Sequence, residues 1–128
     1  MEEITAQSCR PERQRLASRE LLTGPQAGEL AGLFGLLAND SRLRMLHALE
    51  RAGEVCVSDL ARAVGMTPQA VSNQLQRLVD RRVLHARRVG NSVFYRIVDP
   101  CVPAVLELAW CMAETTAQPD RTQVLTHA

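Results

Sequence analysis

The sequence predicts a mainly α-helical α+β fold, a winged helix-turn-helix with a two-stranded β-hairpin as its wing. Residues 58–68 have the pattern of a helix, a turn that contains glycine, and the start of a second helix, which is typical of a helix-turn-helix. The second helix keeps an apolar period through residue 79, and residues 83–97 then change to two short β-prone runs around Gly90-Asn91. A helix followed by a hairpin is the expected order in a winged helix.

The composition is compatible with this fold and places positive charge at the hairpin. The 128 residues are enough for one domain with its own core, 46% of them are apolar and 3% are aromatic, so we expect an aliphatic, largely helical core. The net charge of +1 does not by itself indicate a nucleic-acid partner. Residues 77–96, however, contain six arginines and one acid, Asp80, and such a local excess suits contact with phosphates.

Three regions follow along the chain. Residues 1–24 are expected to form an N-terminal arm and a helix from Pro11 to Leu22, and residues 117–128 a disordered tail. Residues 25–116 are expected to be the winged helix-turn-helix and dimerisation domain. Its first helix, within 26–38, is apolar and rich in glycine, so it needs packing in the core or against a partner chain. The last helix is predicted to have Asp99 as N-cap and Pro100 as its first residue.

The helix before the hairpin carries the features of a DNA-reading element. Thr67 and Pro68 form a start signal, and Ser58 is the predicted cap of the preceding helix, Asp59 to Val64. Amide side chains can pair with base edges in a major groove, and Arg87 and Arg88 are predicted at the hairpin tip, near phosphate or a minor groove. An amphipathic helix beside a solvated hairpin would be the plain structural alternative. The order of the elements favours DNA binding, and the candidate contacts are Thr67, Gln69, Ser72, Asn73, Gln76, Arg87, Arg88 and Asn91.

Other function classes find little support in the sequence. No Ser-His-Asp set, paired carboxylates or glycine loop indicates an enzyme. No segment is apolar enough to span a membrane, and the first residues lack a signal-peptide layout, so we expect a cytoplasmic protein whose thiols stay reduced. The four cysteines form no CxxC or CxC pair.

Three stretches resemble the ArsR/SmtB family of dimeric, metal-sensing repressors: LLANDSRLRMLHAL, GEVCVSDLARAVGMTPQAVSNQLQRLVDRRVL and RRVGNSVFYRIVDP. The resemblance covers about residues 26–115. It implies a homodimer that places two recognition helices in successive major grooves of a palindromic operator, with metal binding lowering operator affinity. It also implies groove contacts by Gln69, Ser72 and Asn73 and wing contacts by Arg87, Arg88 and Asn91.

The resemblance implies a first sensing site on the last helix, with Asp99, Cys101, Cys111 and Glu114 as candidate ligands. Zinc and cobalt sensors of the family have a similar pattern with histidines at the two inner positions and one more residue between them. Cys101 and Cys111 are separated by ~15 Å along a helix, so one chain cannot close a chelate with them, whereas two antiparallel copies can. Thiolates prefer soft ions, so we expect Hg(II), with Cd(II), Pb(II) and As(III) as alternatives.

A second placement combines Cys56 of one chain with Cys9 of the other. Cysteine-containing sensors of the family have a CxC pair in a context like ELCVCDL, and here EVCVSDL keeps Cys56 and has Ser58 in the second position. Cys9 lies in the arm that supplies thiols in some of those sensors. Cys56 as a packed small hydrophobe and Cys9 without a role remain alternatives. A thiol-based redox sensor of the same fold, or a DNA-binding module without effector, also remains open.

Overall fold

The structure, a computed structural model, describes residues 15–117. The chain divides into two compact units, and within the described residues one unit ends at Asp99 and the other begins at Pro100. The predicted arm with Cys9, the start of the predicted first helix at Pro11 and the predicted tail lie outside the described residues, except for Ala117. The expected domain boundaries at residues 24 and 116 stay predictions.

The first unit contains four α-helices and three strands. In order they are α1 (Gly24–Leu37), α2 (Asp40–Ala52), β1 (Glu54–Cys56), α3 (Val57–Val64), α4 (Pro68–Asp80), β2 (Leu84–Val89) and β3 (Ser92–Ile97). The second unit contributes α5 (Cys101–Ala117). No helix among residues 15–117 is long and apolar enough to cross a membrane.

The predicted hairpin is confirmed, and it belongs to a sheet of three strands. β3 lies between β1 and β2 and is antiparallel to both. Gly90 has a φ of +60°, which fits the first position of a two-residue hairpin loop. The third strand of the sheet, β1, is three residues long and pairs Glu54 with Arg96 of β3. This pairing connects the wing to the segment that leads directly into α3.

The core is aliphatic, as the composition predicts. Met45, Leu46, Leu60, Val71, Leu75 and Leu78 are fully buried. One face of the sheet adds Leu84 and Tyr95, which are also buried. Full burial of each aliphatic side chain stabilises the fold by about 1.5–3 kcal/mol. The helix-turn-helix is therefore fixed on the sheet that carries the wing.

One predicted helix cap is confirmed and one is wrong. The side chain of Thr67 caps α4 as predicted, and the side chain of Asn39 caps α2. The prediction that Ser58 caps α3 is wrong, because α3 begins at Val57 and Cys56 occupies the N-cap position without a side-chain cap. Cys56 is also the last residue of β1, so the chain passes from strand to helix without a linker in which Ser58 could act as the cap.

The two ends of the described chain also differ from expectation. Of the helix predicted for residues 11–22, residues 15–22 form only a 3-10 turn, Leu16–Ser18. Leu16 and Leu21 are 69% and 92% exposed, so no apolar packing holds a longer helix here. α5 begins at Cys101, one residue after the predicted first position, which is within the ordinary uncertainty of a helix end.

Candidate nucleic-acid interface and cysteine positions

The face of α4 opposite the core presents amide side chains. Gln69, Asn73 and Gln76 are exposed, and Ser72 is half-buried at the edge of this face. The Nε2 of Gln69 donates to the Oδ1 of Asn73 at 3.0 Å, and the Nε2 of Gln76 donates to the Oδ1 of Asp80 at 2.9 Å. The first bond uses neither the Nδ2 of Asn73 nor the Oε1 of Gln69. These atoms are a donor and an acceptor of the kind that pairs with adenine.

Two residues near this face have roles that the sequence indicated incompletely. The Oγ1 of Thr67 accepts a hydrogen bond from the backbone N–H of Ala70 at 3.1 Å, so this hydroxyl serves the start of α4. Asp80 was not predicted as part of the face, although it holds Gln76 in place. Its spacing of four residues from Gln76 was the available signal.

The wing arginines occupy different positions from those predicted. β2 continues to Val89, so Arg87 and Arg88 lie within the strand, and the tip is formed by Gly90 and Asn91. Arg88 pairs with Val93 in the sheet, and Arg87 pairs with Phe94. Because successive residues of a strand point to opposite faces, the two guanidinium groups lie on opposite sides of the wing.

Arg87 is held by a carboxylate from β1. Its Nε donates to the Oε2 of Glu54 at 3.2 Å and its Nη2 to the Oε1 at 2.7 Å, while its guanidinium carbon lies 5.4 Å from the centre of the Phe94 ring. The hydrogen bonds from Arg87 lower the pKa of Glu54, partial desolvation opposes this shift, and the charges of Arg87, Arg96 and His85 reinforce it. The same hydrogen bonds raise the pKa of Arg87. No pattern in the sequence indicated this pair, whose members are separated by 33 positions.

The described cysteines are spread over the fold. Cys56 is half-buried at the junction of β1 and α3, and its sulfur lies 3.4 Å from the Oγ of Ser58. Cys101 is half-buried at the first residue of α5, and Cys111 is exposed farther along the same helix. Of the predicted oxygen ligands, Asp99 is half-buried and Glu114 is exposed.

The donor chemistry suits a soft ion, but one chain does not assemble a site from its described residues. Within residues 15–117 no three His, Cys, Asp or Glu side chains converge as a set of metal ligands. Cys101 and Cys111 lie on one continuous helix, at ~15 Å along its axis. A site that uses both thiolates therefore requires a second protomer.

Known proteins are similar to this chain in fold and in sequence. Residues 39–85 match the family described as bacterial regulatory protein, arsR family. The crystal structure of the AntR antimony-specific transcriptional repressor is 60% identical with a TM-score of 0.73, and the match covers 84% of this chain and 96% of that one. The homodimeric winged helix-turn-helix DNA-binding domain of a Mycobacterium bovis protein is 29% identical with a TM-score of 0.66, covering 80% and 94%.

A curated relative extends the similarity to a named repressor. The transcriptional repressor SmtB homolog of Synechocystis sp. is 42% identical over 88 residues, which are 69% of this chain and 66% of that protein. The chain thus spans about two thirds of the length of this relative. The matched proteins are transcriptional regulators and not enzymes, as the sequence predicts for this chain. By its sequence match and its winged-helix structure, the chain belongs to the arsR family of bacterial regulatory proteins.

Proposed function

We propose that this protein is a cytoplasmic, homodimeric repressor that binds a palindromic operator and is released by a thiophilic ion. The observation that carries the proposal is the exposed amide row of α4 beside an arginine-containing hairpin. In this arrangement Gln69, Asn73 and Gln76 read bases. Arg88 and Asn91, at or near the wing tip, contact the backbone or a minor groove.

Exposed apolar residues on α1 and α5 support the homodimer. Phe34 is 53% exposed on α1, and Leu108, Trp110 and Met112 are 53%, 64% and 71% exposed on α5. Large exposed apolar patches on soluble proteins mark interaction sites, and these side chains are candidates for such a patch. A twofold dimer also matches the symmetry of a palindromic operator.

The effector would be held by thiolates of both protomers. Cys101 of one protomer and Cys111 of the other are the first candidate pair, with Asp99 and Glu114 as oxygen donors, and Cys56 and Cys9 are the second candidate pair. Thiolates select soft ions. The antimony-specific repressor is 60% identical to this chain, so Sb(III) is the first ion to test, followed by As(III), which shares its valence and affinity for thiols. Hg(II), which the pair of thiolates suggested, comes next with Cd(II) and Pb(II).

When bound, the ion would cross-link the two final helices and fix their relative angle. The recognition helix contains no cysteine, so the signal must change the dimer. A dimer whose recognition helices no longer match a half-site spacing of about 34 Å loses operator affinity. Typical couplings of ~1–3 kcal/mol are enough for derepression.

The test titrates Sb(III), As(III), Hg(II), Cd(II) and Pb(II) into the reduced full chain on an operator selected from random DNA. We expect a thiophilic ion to release the DNA, and Cys101→Ser and Cys111→Ser to abolish release without loss of DNA binding. Release that persists in both variants but fails in Cys56→Ser would move the site to the start of α3. Release by peroxide alone, with no response to any ion, would replace the proposal with a redox sensor.

The DNA contacts are tested with the same operator. Asn73→Ala should weaken operator binding by ~1–3 kcal/mol and change random DNA binding little, because a base contact carries sequence information. Equal losses on both DNAs would remove Asn73 from the base-reading set.

A further inference from the structure

Arg42 is an arginine inside the core. It is 8% exposed and is the buried charged residue of the described chain. Its partners are neutral: the Nη1 donates to the backbone carbonyl of Leu36 at 2.5 Å, and the Nε donates to the Oε1 of Gln74 at 2.9 Å. Burying a charge is costly unless its hydrogen bonds are satisfied. A position that needed only packing would be filled better by methionine or leucine.

The first partner of Arg42 is the end of α1. Leu36 lies in the last turn of this helix, where backbone carbonyls have no partner within the helix and attract positive charge. α1 has no basic residue in its own last turn, so Arg42 of α2 supplies that charge. Asn39, between the two helices, accepts a hydrogen bond from the backbone N–H of Arg42 at 2.9 Å. The corner between α1 and α2 is therefore fixed at Arg42.

The second partner of Arg42 is the recognition helix. Gln74 is half-buried on α4 and directly follows Asn73 of the amide row. The hydrogen bond from Arg42 fixes its carbonyl oxygen 32 positions away in sequence. A rotation or shift of α4 would lengthen this bond. A movement of the end of α1 would also lengthen it if Arg42 moved together with Leu36.

We propose that Arg42 is a positioning residue that couples α1 to α4, so that a change at the α1 surface of the dimer alters the orientation of the recognition helix. The coupling is mechanical and works in both directions, because thermodynamic linkage is reciprocal. Operator binding at α4 therefore reduces local opening at the end of α1. The inference rests on the proposed function, in which α1 contacts the partner protomer and α4 reads DNA.

The experiment compares the unaltered full chain with Gln74→Met, which keeps the side-chain size and removes the acceptor. Gln74→Glu keeps an acceptor and serves as the rescue variant. Arg44→Met is the matched control, because Arg44 lies on the same helix but donates to the carbonyl of Ala63 at the end of α3. For each protein, hydrogen exchange of the amides at residues 36–39 is measured with and without operator, and operator affinity is measured with and without the releasing ion.

We expect operator to slow exchange at residues 36–39 in the unaltered chain, in Gln74→Glu and in Arg44→Met, and to leave it unchanged in Gln74→Met. The ion should lower operator affinity by about 5- to 150-fold in the first three proteins and less than about twofold in Gln74→Met. The inference would be overturned if operator slowed exchange at residues 36–39 in Gln74→Met as much as in the unaltered chain, or if the ion lowered the operator affinity of the two proteins equally. An unaltered chain that binds operator but ignores every ion refutes the proposed effector, while the exchange measurement still decides the role of Arg42. An unaltered chain that binds no operator refutes both the proposed function and the proposed role of Arg42.

Discussion

Arg87 and Arg88 are neighbours in β2, yet their charges are available to DNA to different extents. Glu54 accepts two hydrogen bonds from Arg87, so much of that charge is already compensated. Arg88→Ala should therefore make the slope of log affinity against log salt shallower by about 0.9, the value for one phosphate contact. Arg87→Ala should reduce the salt dependence less. Binding of each variant to random DNA at several salt concentrations measures the slopes. A larger change in Arg87→Ala would show that the pair opens on DNA.

The Glu54–Arg87 pair also gives the wing a pH dependence with a definite sign. Arg87 lowers the pKa of Glu54 below its ordinary value, so the folded state favours the ionised carboxylate. The pair therefore stabilises the fold above the ordinary pKa of about 4.5, and this contribution is lost as the pH falls through the lower pKa of the folded state. Urea unfolding should show Glu54→Gln less stable than the unaltered chain at pH 7, with the difference shrinking towards pH 3. A difference that does not depend on pH would contradict this assignment.

At the scale of the elements, local signals predicted the helix-turn-helix and the hairpin, but they also predicted a helix through Leu22 that residues 15–22 do not form, and they missed the pairing of β1. Thr67 and Asn39 are caps because their side chains bond to N–H groups three residues away, which a single stretch of sequence reveals. β1 is three residues long and becomes a strand through its pairing with β3. That pairing joins distant residues. Because β1 ends at Cys56, the N-cap position of α3 is Cys56 and not the predicted Ser58.

In the candidate site, the sequence predicted features that depend on neighbouring residues and missed contacts between distant ones. The amide face of α4 follows from helical periodicity, and its predicted members Gln69, Asn73 and Gln76 are exposed. The contacts of Glu54 with Arg87 and of Arg42 with Gln74 join residues 33 and 32 positions apart. Periodicity and capping rules describe neighbours along the chain, so they could not predict these two pairs.

The turn between α4 and β2 depends on an arginine with a left-handed backbone. Arg82 has a φ of +63°, and the next residue, Val83, donates its N–H to the carbonyl of Leu78 at 2.9 Å, as in a Schellman motif. Glycine adopts this conformation easily and β-branched residues do not. Thermal unfolding should find Arg82→Gly at least as stable as the unaltered chain and Arg82→Val less stable by about 1–2 kcal/mol. Equal stability of the two variants would contradict the strain assigned to this turn.

At the scale of the whole molecule, the exposed apolar residues of α1 predict how assembly can be broken. Phe34→Asp should place a charge in the proposed interface and give monomers at micromolar concentration, with an unchanged helix content and weaker operator binding. Leu21→Asp is the control, because it introduces the same charge before the start of α1 at Gly24 and therefore outside the proposed interface. Sedimentation of both variants measures the effect. A Phe34→Asp protein that remains dimeric would place the interface elsewhere.

Mixed dimers test the proposal that each ion is held by thiolates from two protomers. A Cys101→Ser homodimer and a Cys111→Ser homodimer each lack a complete Cys101–Cys111 pair. A mixed dimer of the two variants, isolated with different affinity tags, has one complete pair across its axis. We predict that Sb(III), or the releasing ion identified by titration, dissociates the mixed dimer from operator and leaves both homodimers bound. A mixed dimer as unresponsive as the two homodimers would contradict a site shared between protomers.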